Sequence, residues 1–351
     1  MHRDEILAWL CEGDLARLAD LWQLADRTRQ HYVGGEVHLR GLVEISNHCV
    51  RWCGYCGLRA GNHSLHRYRM TDGEILACTR EAVELGYGTV VLQAGEDPEL
   101  TRDRIAGMVS RIKAETPLAV TLSLGEREDG DLAAWREAGA DRYLLRFETS
   151  NRALYEQLHP PRTGYRPTDR TAILGALRRL GYEIGSGVMI GLPGQIYDDL
   201  ADDLMCFGRL GLDMIGVGPY LRHPQTPLAD RHRWPPASNV EQVPASELMT
   251  YKVMALARLV CPRANIPATT ALATLNPREG HELGLVRGAN VVMPNLTPPR
   301  YRALYEIYPG RAGEAETGEA CCRGLDQRLR AIGRRPGRGR GDSSNYQMRR
   351  S

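Results

Sequence analysis

The sequence predicts an α/β protein: a (β/α)8 barrel of the TIM type with N-terminal helices and a C-terminal extension. Three observations predict it. Short β-rich runs alternate with helical patterns from residue 37 onward, about eight such runs occur, and polar or special residues recur where each run ends. With 351 residues, 42% of them hydrophobic, the chain can fill the core of one large α/β domain with helices to spare.

The first element is helical. Ile6, Leu7, Leu10, Leu15, Leu18, Leu21 and Leu24 recur at helical spacing, so residues 1–36 read as amphipathic helices packed on the outside of the main domain. The expected strands follow at 37–45, 89–92, 118–122, 142–146, 183–189, 214–217, 265–269 and 290–293. Their ends carry Ser46 and Asn47, Gln93 to Glu96, Ser123 to Glu126, Glu148 and Thr149, Gly191 to Gly194, Thr269 and Thr270, and Pro294 and Asn295. In a barrel all of these ends converge on one mouth, where active sites sit, which favours the barrel over its competitor, an open doubly wound sheet. The barrel is expected over 37–310. Residues 311–351 form the extension, and its last part, 333–351, is rich in Gly, Arg and Ser and reads as a mobile basic tail.

Charge narrows the function classes. The net charge is +2 with both signs interspersed, so no broad basic surface for nucleic acid is implied. No opening apolar run resembles a signal peptide, and no stretch reaches the ~20 apolar residues of a membrane span. The expected compartment is the cytoplasm. Nine cysteines, an odd number, suit a reducing compartment better than a disulfide framework. Cys11, Cys78, Cys206 and Cys261 sit singly in helical patterns and read as core residues.

The motif that carries chemistry is Cys49-Val-Arg-Trp-Cys53-Gly-Tyr-Cys56, directly after the first expected strand. Three soft thiolates on a short loop can bind three irons of a cubane cluster and leave the fourth iron open. S-adenosylmethionine (SAM) needs such an open site to chelate through its amino and carboxylate groups. Two blander readings use the same residues: a Cys3His zinc site completed by His48, His63 or His66, and three free core cysteines.

The C-x3-C-x2-C spacing with Tyr55 in its second gap resembles the radical SAM superfamily, whose fold is a barrel. Further segments are similar to its [FeFe]-hydrogenase maturases of the HydE type: YRMT (68–71), LQAGEDP (92–98), TLSLGE (121–126), ADRYLLRFET (140–149), GLPGQ (191–195), PATTA (267–271) and ANVVMPN (289–295). The similarity spans roughly residues 39–310 and adjoins biotin synthase and methylornithine synthase. It implies a [4Fe–4S] cluster on Cys49, Cys53 and Cys56, with SAM as its fourth ligand and Tyr55 at the cofactor. It also implies that Gly95 and Glu96 receive the SAM ammonium, that Glu148 binds its polar groups, and that Arg170 pairs with its carboxylate. Arg146, Thr121, Ser123, Thr269 and Thr270 match a polar cavity deeper in the barrel, closed by Met293, Tyr305 and Tyr308. Without the resemblance these would read as strand-end acids, solvated arginines or satisfied core hydroxyls.

The reaction implied is formation of a 5′-deoxyadenosyl radical that acts on a cysteine-bound iron carbonyl cyanide precursor of the hydrogenase H-cluster. The partners implied are a flavodoxin or ferredoxin as electron donor, a scaffold GTPase and a second radical SAM maturase. An auxiliary C-terminal cluster is not expected, because Gly313 and Gly324 stand at two of its cysteine places and only Cys321 matches. The competing expectations are a mutase or related enzyme on a small amino-acid-like substrate, and a zinc-stabilised binding module.

Overall fold

In the computed structural model the chain is described at residues 1–161, 168–230, 234, 242–311 and 318–350, with side chains left aside at 318–323 and 350. Two helices open it, α1 (Arg3–Cys11) and α2 (Leu15–Val33). They bury Ile6, Leu10, Leu18, Leu21 and Ala25 against the helices Tyr197–Leu210 and Glu247–Val260 on the barrel's outside. Leu15 and Leu24 of the expected apolar face are exposed: Leu15 opens α2, and Leu24, midway along it, faces away from the buried stripe of Leu18, Leu21 and Ala25.

Among the described residues eight strands form one sheet: β1 (Glu36–Ser46), β2 (Thr89–Ala94), β3 (Ala119–Ser123), β4 (Arg142–Leu144), β5 (Glu183–Ile190), β6 (Met214–Pro219), β7 (Val291–Val292) and β8 (Arg335–Pro336). The order is β6-β5-β4-β3-β2-β1-β7, every pairing is parallel, and β8 pairs with β1. Helices cover the outer face, so β1, β5 and β6 are buried almost throughout, as both faces of a barrel wall require. Side-chain caps start several of these helices. Thr71 and Glu74 form a capping box, and Thr101, Asn151, Asp169 and Ser246 accept from the first turn of the helix that each precedes.

Two expected strands differ. Residues 265–269 form no strand, yet they bridge β6 and β7: the Ile215 N–H donates to the Asn265 carbonyl, and the Ala268 N–H donates to that of Val291. Pro267 has no N–H to continue a ladder. The run expected at 142–146 stops at Leu144, because the backbone turns sharply at Glu148 to aim into the barrel.

The tail also departs from expectation. Instead of lying loose, residues 335–349 close the floor of the barrel. The Gly337 N–H donates to the Val37 carbonyl, and the Arg142 guanidinium donates to the Arg340 carbonyl and pairs with Asp342. The Ser343 N–H donates to Glu183, and Arg349 pairs with Asp213. The tail's polarity serves this, since the strand ends at the floor present the buried charges Arg142, Glu183 and Asp213, which need polar partners. Among the described residues no helix is long and apolar enough to cross a membrane.

Candidate active site

The cysteine loop runs over the barrel mouth directly after β1, and hydrogen bonds pin it from every side. The Asn47 amide donates to the His66 and Leu304 carbonyls and accepts from the Tyr68 N–H. Farther along, the Arg67 guanidinium donates to four carbonyls, those of Asn47, Leu58, Arg59 and Asn62. Gly54 donates to the Leu158 carbonyl and Gly57 to that of Ile307. A loop so fixed presents its thiols in one arrangement before any ligand arrives.

The three thiols fit an iron–sulfur cluster. They form no disulfide. Burial pushes the Cys53 thiol up to about 12, helped by the neighbouring Cys49, and raises Cys56 and Cys49 as well. Buried thiols of this kind bind metal with release of their protons, because only the thiolate is a ligand. Two N–H groups, those of Arg51 and Glu96, point at Cys49 Sγ from 3.4 Å, as outer hydrogen bonds on a cluster thiolate do. Among the described residues no three or more His, Cys, Asp or Glu side chains gather closely enough to hold one metal ion. Thiolates on separate irons of a cubane stand farther apart than the ligands of one zinc.

Gly95 shows why this position takes no side chain. A Cβ there would meet the His48 carbonyl oxygen at 2.2 Å and Cys49 Cβ at 2.8 Å, so the turn after β2 must be bare to lie against the cysteine loop. Beside it runs an alternating chain of charges. Arg51 binds Glu96 at 2.8 Å and Glu126 at 2.6 Å, and Arg170 binds Glu126 at 2.8 Å. Burial disfavours the Glu126 carboxylate, but the Arg170 and Arg51 guanidiniums hold it below the usual range. Arg170 also donates to the Arg146 carbonyl at 2.7 Å, which ties the helix Arg170–Arg179 to the end of β4. Thus Glu96 and Arg170 both engage internal partners of opposite charge. Arg51 and Glu126, which link them, were not singled out as site residues from the sequence; the signal was a strand-end acid and an arginine between the cysteines.

Below this chain lies a cavity of about 300 Å³ that runs down the barrel axis. Tyr55, Ser123, Thr121, Arg146 and Glu148 line it from the first four βα units. Thr269, Thr270, Met293, Tyr305 and Tyr308 line the opposite wall. Gly95, Glu96 and Arg170 stand outside that lining, next to the cysteines. Among the described residues, six buried polar atoms of the cavity lining have no hydrogen bond: Arg40 Nε, Thr121 Oγ1, Arg146 Nε, Glu148 Oε2, Tyr220 Oη and Arg311 Nε. Such atoms cost free energy unless a ligand meets them.

Glu148 is also the strained residue of the site. Its φ is 67°, positive for a non-glycine residue, and the Thr149 N–H donates across it to the Phe147 carbonyl at 2.9 Å. A three-residue turn with positive φ at its centre is rare and strained, and such strain clusters at ligand sites. Burial raises the Glu148 carboxyl, against the pull of Arg146, which lies 3.1 Å away. Two arginines that the sequence reading did not select also line the cavity. Arg40 contributes from β1, and Arg311 pairs with the fully buried Glu44 and leaves its Nε without a partner. The pairing of Arg311 with Glu44 spans 267 positions, beyond any local motif.

By contrast the GLPGQ turn is internally satisfied. The Gln195 amide accepts from the Gly191 N–H at 2.7 Å and donates to the Met189 carbonyl at 3.0 Å, which makes it a brace for β5. Cys78, Cys206 and Cys261 are buried as expected, whereas Cys11 is exposed. Gly313 and the Cys321 side chain, on which the expectation about an auxiliary cluster rests, lie outside the described residues.

Comparison with known proteins decides the family. The profile of the Radical SAM superfamily matches residues 43–206. The [FeFe] hydrogenase maturase subunit HydE of Thermotoga maritima is 46% identical over 318 residues, 91% of this chain and 87% of that protein. The chain belongs to the HydE family of radical SAM enzymes. HydE-family membership implies a [4Fe–4S] cluster and SAM as cofactors, and it removes the zinc module from contention. The barrel of this HydE relative also superposes on a crystal structure of methylornithine synthase with a TM-score of 0.80 at 25% identity, covering 96% of this chain and 94% of that one. A 3-methylornithine synthase of Methanosarcina acetivorans is 28% identical over 82% of this chain and 78% of its own length.

Proposed function

We propose that this radical SAM enzyme acts in [FeFe]-hydrogenase maturation, on a cysteine-bound iron carbonyl cyanide precursor of the H-cluster. The observation that carries the reading is the pair of polar atoms without a hydrogen bond, Thr121 Oγ1 and Arg146 Nε, beside the Arg146–Glu148 ion pair in the cavity just below the cysteine loop, in a chain 46% identical to a hydrogenase maturase subunit.

Cys49, Cys53 and Cys56 hold the cluster, and Tyr55 borders both the cluster loop and the cavity. When bound, the cluster and SAM supply a one-electron cleavage of the S–C5′ bond that yields methionine and a 5′-deoxyadenosyl radical. Glu96 and Gly95 receive the SAM ammonium at the turn after β2, where an acid suits a three-donor cation. Arg170 offers its planar fork to a carboxylate, and Glu148 takes the remaining polar groups of SAM. Deeper in, Arg146 binds the substrate carboxylate with Ser123, Thr121, Thr269 and Thr270, while Met293, Tyr305 and Tyr308 close the cavity and exclude water. Exclusion of water and of competing hydrogen donors is what a carbon radical requires of its container.

The partners that fit are an electron donor, a scaffold GTPase that receives the iron product, and a second radical SAM maturase that supplies the precursor. The test is anaerobic reconstitution with iron and sulfide, followed by dithionite and SAM. 5′-Deoxyadenosine should form and should vanish in Cys53→Ala, and the wild-type protein should support activation of apo-hydrogenase in a mixture of the other maturases. SAM cleavage without any hydrogenase activation would defeat the maturase reading.

A second reading, a mutase on a small amino-acid-like substrate, is favoured by the TM-score of 0.80 with methylornithine synthase. Isomerisation of a free amino acid, with no effect on hydrogenase activation, would establish it.

A further inference from the structure

Tyr55, between Cys53 and Cys56, meets His159 with its hydroxyl, and His159 follows the short helix Arg152–Leu158. The phenol oxygen stands 3.0 Å from His159 Nε2, and the two rings meet edge to face with centroids 5.5 Å apart. The other ring nitrogen, Nδ1, lies 3.0 Å from the Tyr155 carbonyl oxygen. A carbonyl only accepts, so Nδ1 carries the hydrogen of the ring. Burial, with the Arg170 guanidinium nearby, holds the imidazole pKa well below its usual value, so the ring is neutral and Nε2 has only its lone pair. The hydrogen of the Tyr55–His159 bond therefore comes from the phenol. With that one hydrogen committed, the hydroxyl turns lone pairs alone toward the cavity that Tyr55 lines.

Several contacts fix this arrangement. The Gly54 N–H donates to the Leu158 carbonyl at 2.8 Å, which ties the end of the helix to the cysteine loop one residue before Tyr55. The His159 backbone N–H donates to the Tyr155 carbonyl at 2.9 Å, and the imidazole lies on the Tyr155 ring with centroids 4.4 Å apart. Tyr55 packs against an apolar group that includes Leu158, Met189, Leu192 and Leu228. An apolar wall of this kind suits a nucleoside, whereas the charged methionine end of SAM suits Glu96 and Arg170.

We propose that His159 is a positioning residue that keeps the Tyr55 hydroxyl a pure hydrogen-bond acceptor, so that SAM is met at this point through a hydroxyl or amino donor of its nucleoside. The inference rests on the cofactor that family membership implies and not on the hydrogenase substrate. A phenol free to rotate could donate or accept and would select for neither. Fixed as an acceptor, it favours a ligand that brings a donor and disfavours one that brings only lone pairs, since two acceptors would then face each other without a hydrogen. The fixed hydroxyl also needs no reordering when the ligand arrives.

The test uses full-length protein reconstituted with its cluster and left oxidised, so that SAM binds without being cut. Calorimetry gives the dissociation constants of SAM, 5′-deoxyadenosine and methionine. His159→Phe keeps a ring against Tyr155 but offers no acceptor, and it should weaken SAM and 5′-deoxyadenosine about fivefold while leaving methionine unchanged. His159→Gln, whose amide oxygen can accept from the phenol, should stay within about twofold of the wild type. In a Tyr55→Phe protein, which lacks the hydroxyl, His159→Phe should bring no further loss. Equal losses in the Phe and Gln variants would overturn the proposal, because the imidazole would then serve as packing. So would a further loss in the Tyr55→Phe background, which would mean that His159 acts through another group. A loss shared by methionine and absent from 5′-deoxyadenosine would overturn the assignment to the nucleoside. No SAM binding by the wild type would overturn the cofactor assignment on which the proposal rests.

Discussion

Arg142 opens β4 and Arg146 stands two residues past its end, and the contrast between them separates what holds the barrel from what the barrel is for. Arg142 points to the floor and is fully buried. Its Nε meets Glu183 at 2.7 Å, one terminal nitrogen meets the Thr89 hydroxyl at 2.9 Å, and the other meets the Arg340 carbonyl and Asp342. Arg146 points to the mouth, where one terminal nitrogen donates to the Val188 carbonyl and pairs with Glu148 while Nε stays unpartnered. A buried guanidinium with every nitrogen bonded is a structural device, whereas one with an unbonded nitrogen facing a cavity is a device for binding.

The largest effect should come from the floor. Arg142→Met leaves Glu183 as a buried charge without its partner, and urea unfolding should show a loss of about 3–5 kcal/mol. A smaller loss would mean that the tail, through the Ser343 N–H, suffices to neutralise Glu183.

The next test asks whether an unpartnered atom alone marks a ligand site. Asp203 is fully buried with Oδ2 unpartnered, but it lies behind the wall and does not line the cavity. Burial raises its carboxyl from 3.8 to about 7, against hydrogen bonding from Ser150. A raised acid favours the folded state while protonated, so its contribution is complete below the unfolded value near 3.8 and is lost as the pH rises through about 7. Asp203→Asn should therefore gain about 3 kcal/mol over the wild type between about pH 5 and about pH 8.5. Equal pH profiles of thermal unfolding would show that Asp203 stays charged and has a partner after all.

Arg146→Met should cost only about 1–2 kcal/mol of stability, because a carbonyl bond and a partly open ion pair are lost. Substrate affinity should fall about 10- to 100-fold, the worth of a hydrogen bond to a charged group. The smallest effect on stability belongs to Thr121→Val. Its hydroxyl has no partner, so the isosteric change should leave unfolding within about 1 kcal/mol of the wild type or improve it, while still weakening substrate binding. A stability loss above that would show that the hydroxyl is satisfied within the fold.

The same contrast explains what could be read along the chain. The cysteine loop was legible because its chemistry is local: three thiols within eight residues announce a cluster wherever they fold. The strand ends were legible because a barrel gathers them on one side, and Ser123 and Thr269 fall at such ends, whereas their grouping with Arg146 in one cavity was implied by the family resemblance. The charge pairs were not. Nothing near Glu126 points to Arg51, 75 positions away, and nothing near Glu44 points to Arg311. The tail misled for a related reason. Its Gly, Arg and Ser composition suits solvent, but it suits equally a segment whose work is to offer carbonyls and an Asp to buried arginines. The signal available was the presence of Arg40, Arg142 and Glu183 at floor positions of a core sheet, where unpartnered charges are too costly to stand.

The docked tail bears on how the molecule comes into being. Arg142 and Thr89 donate to the Arg340 carbonyl only after the chain up to that residue has left the ribosome, since those contacts span 198 and 251 positions. Until then a nearly complete barrel carries unmatched charges at its base, and contacts of such long range form slowly. The floor is thus completed by the segment that makes the preceding three hundred residues comfortable, and a nascent chain stalled shortly before it would be a target for chaperones and proteases rather than an enzyme in waiting.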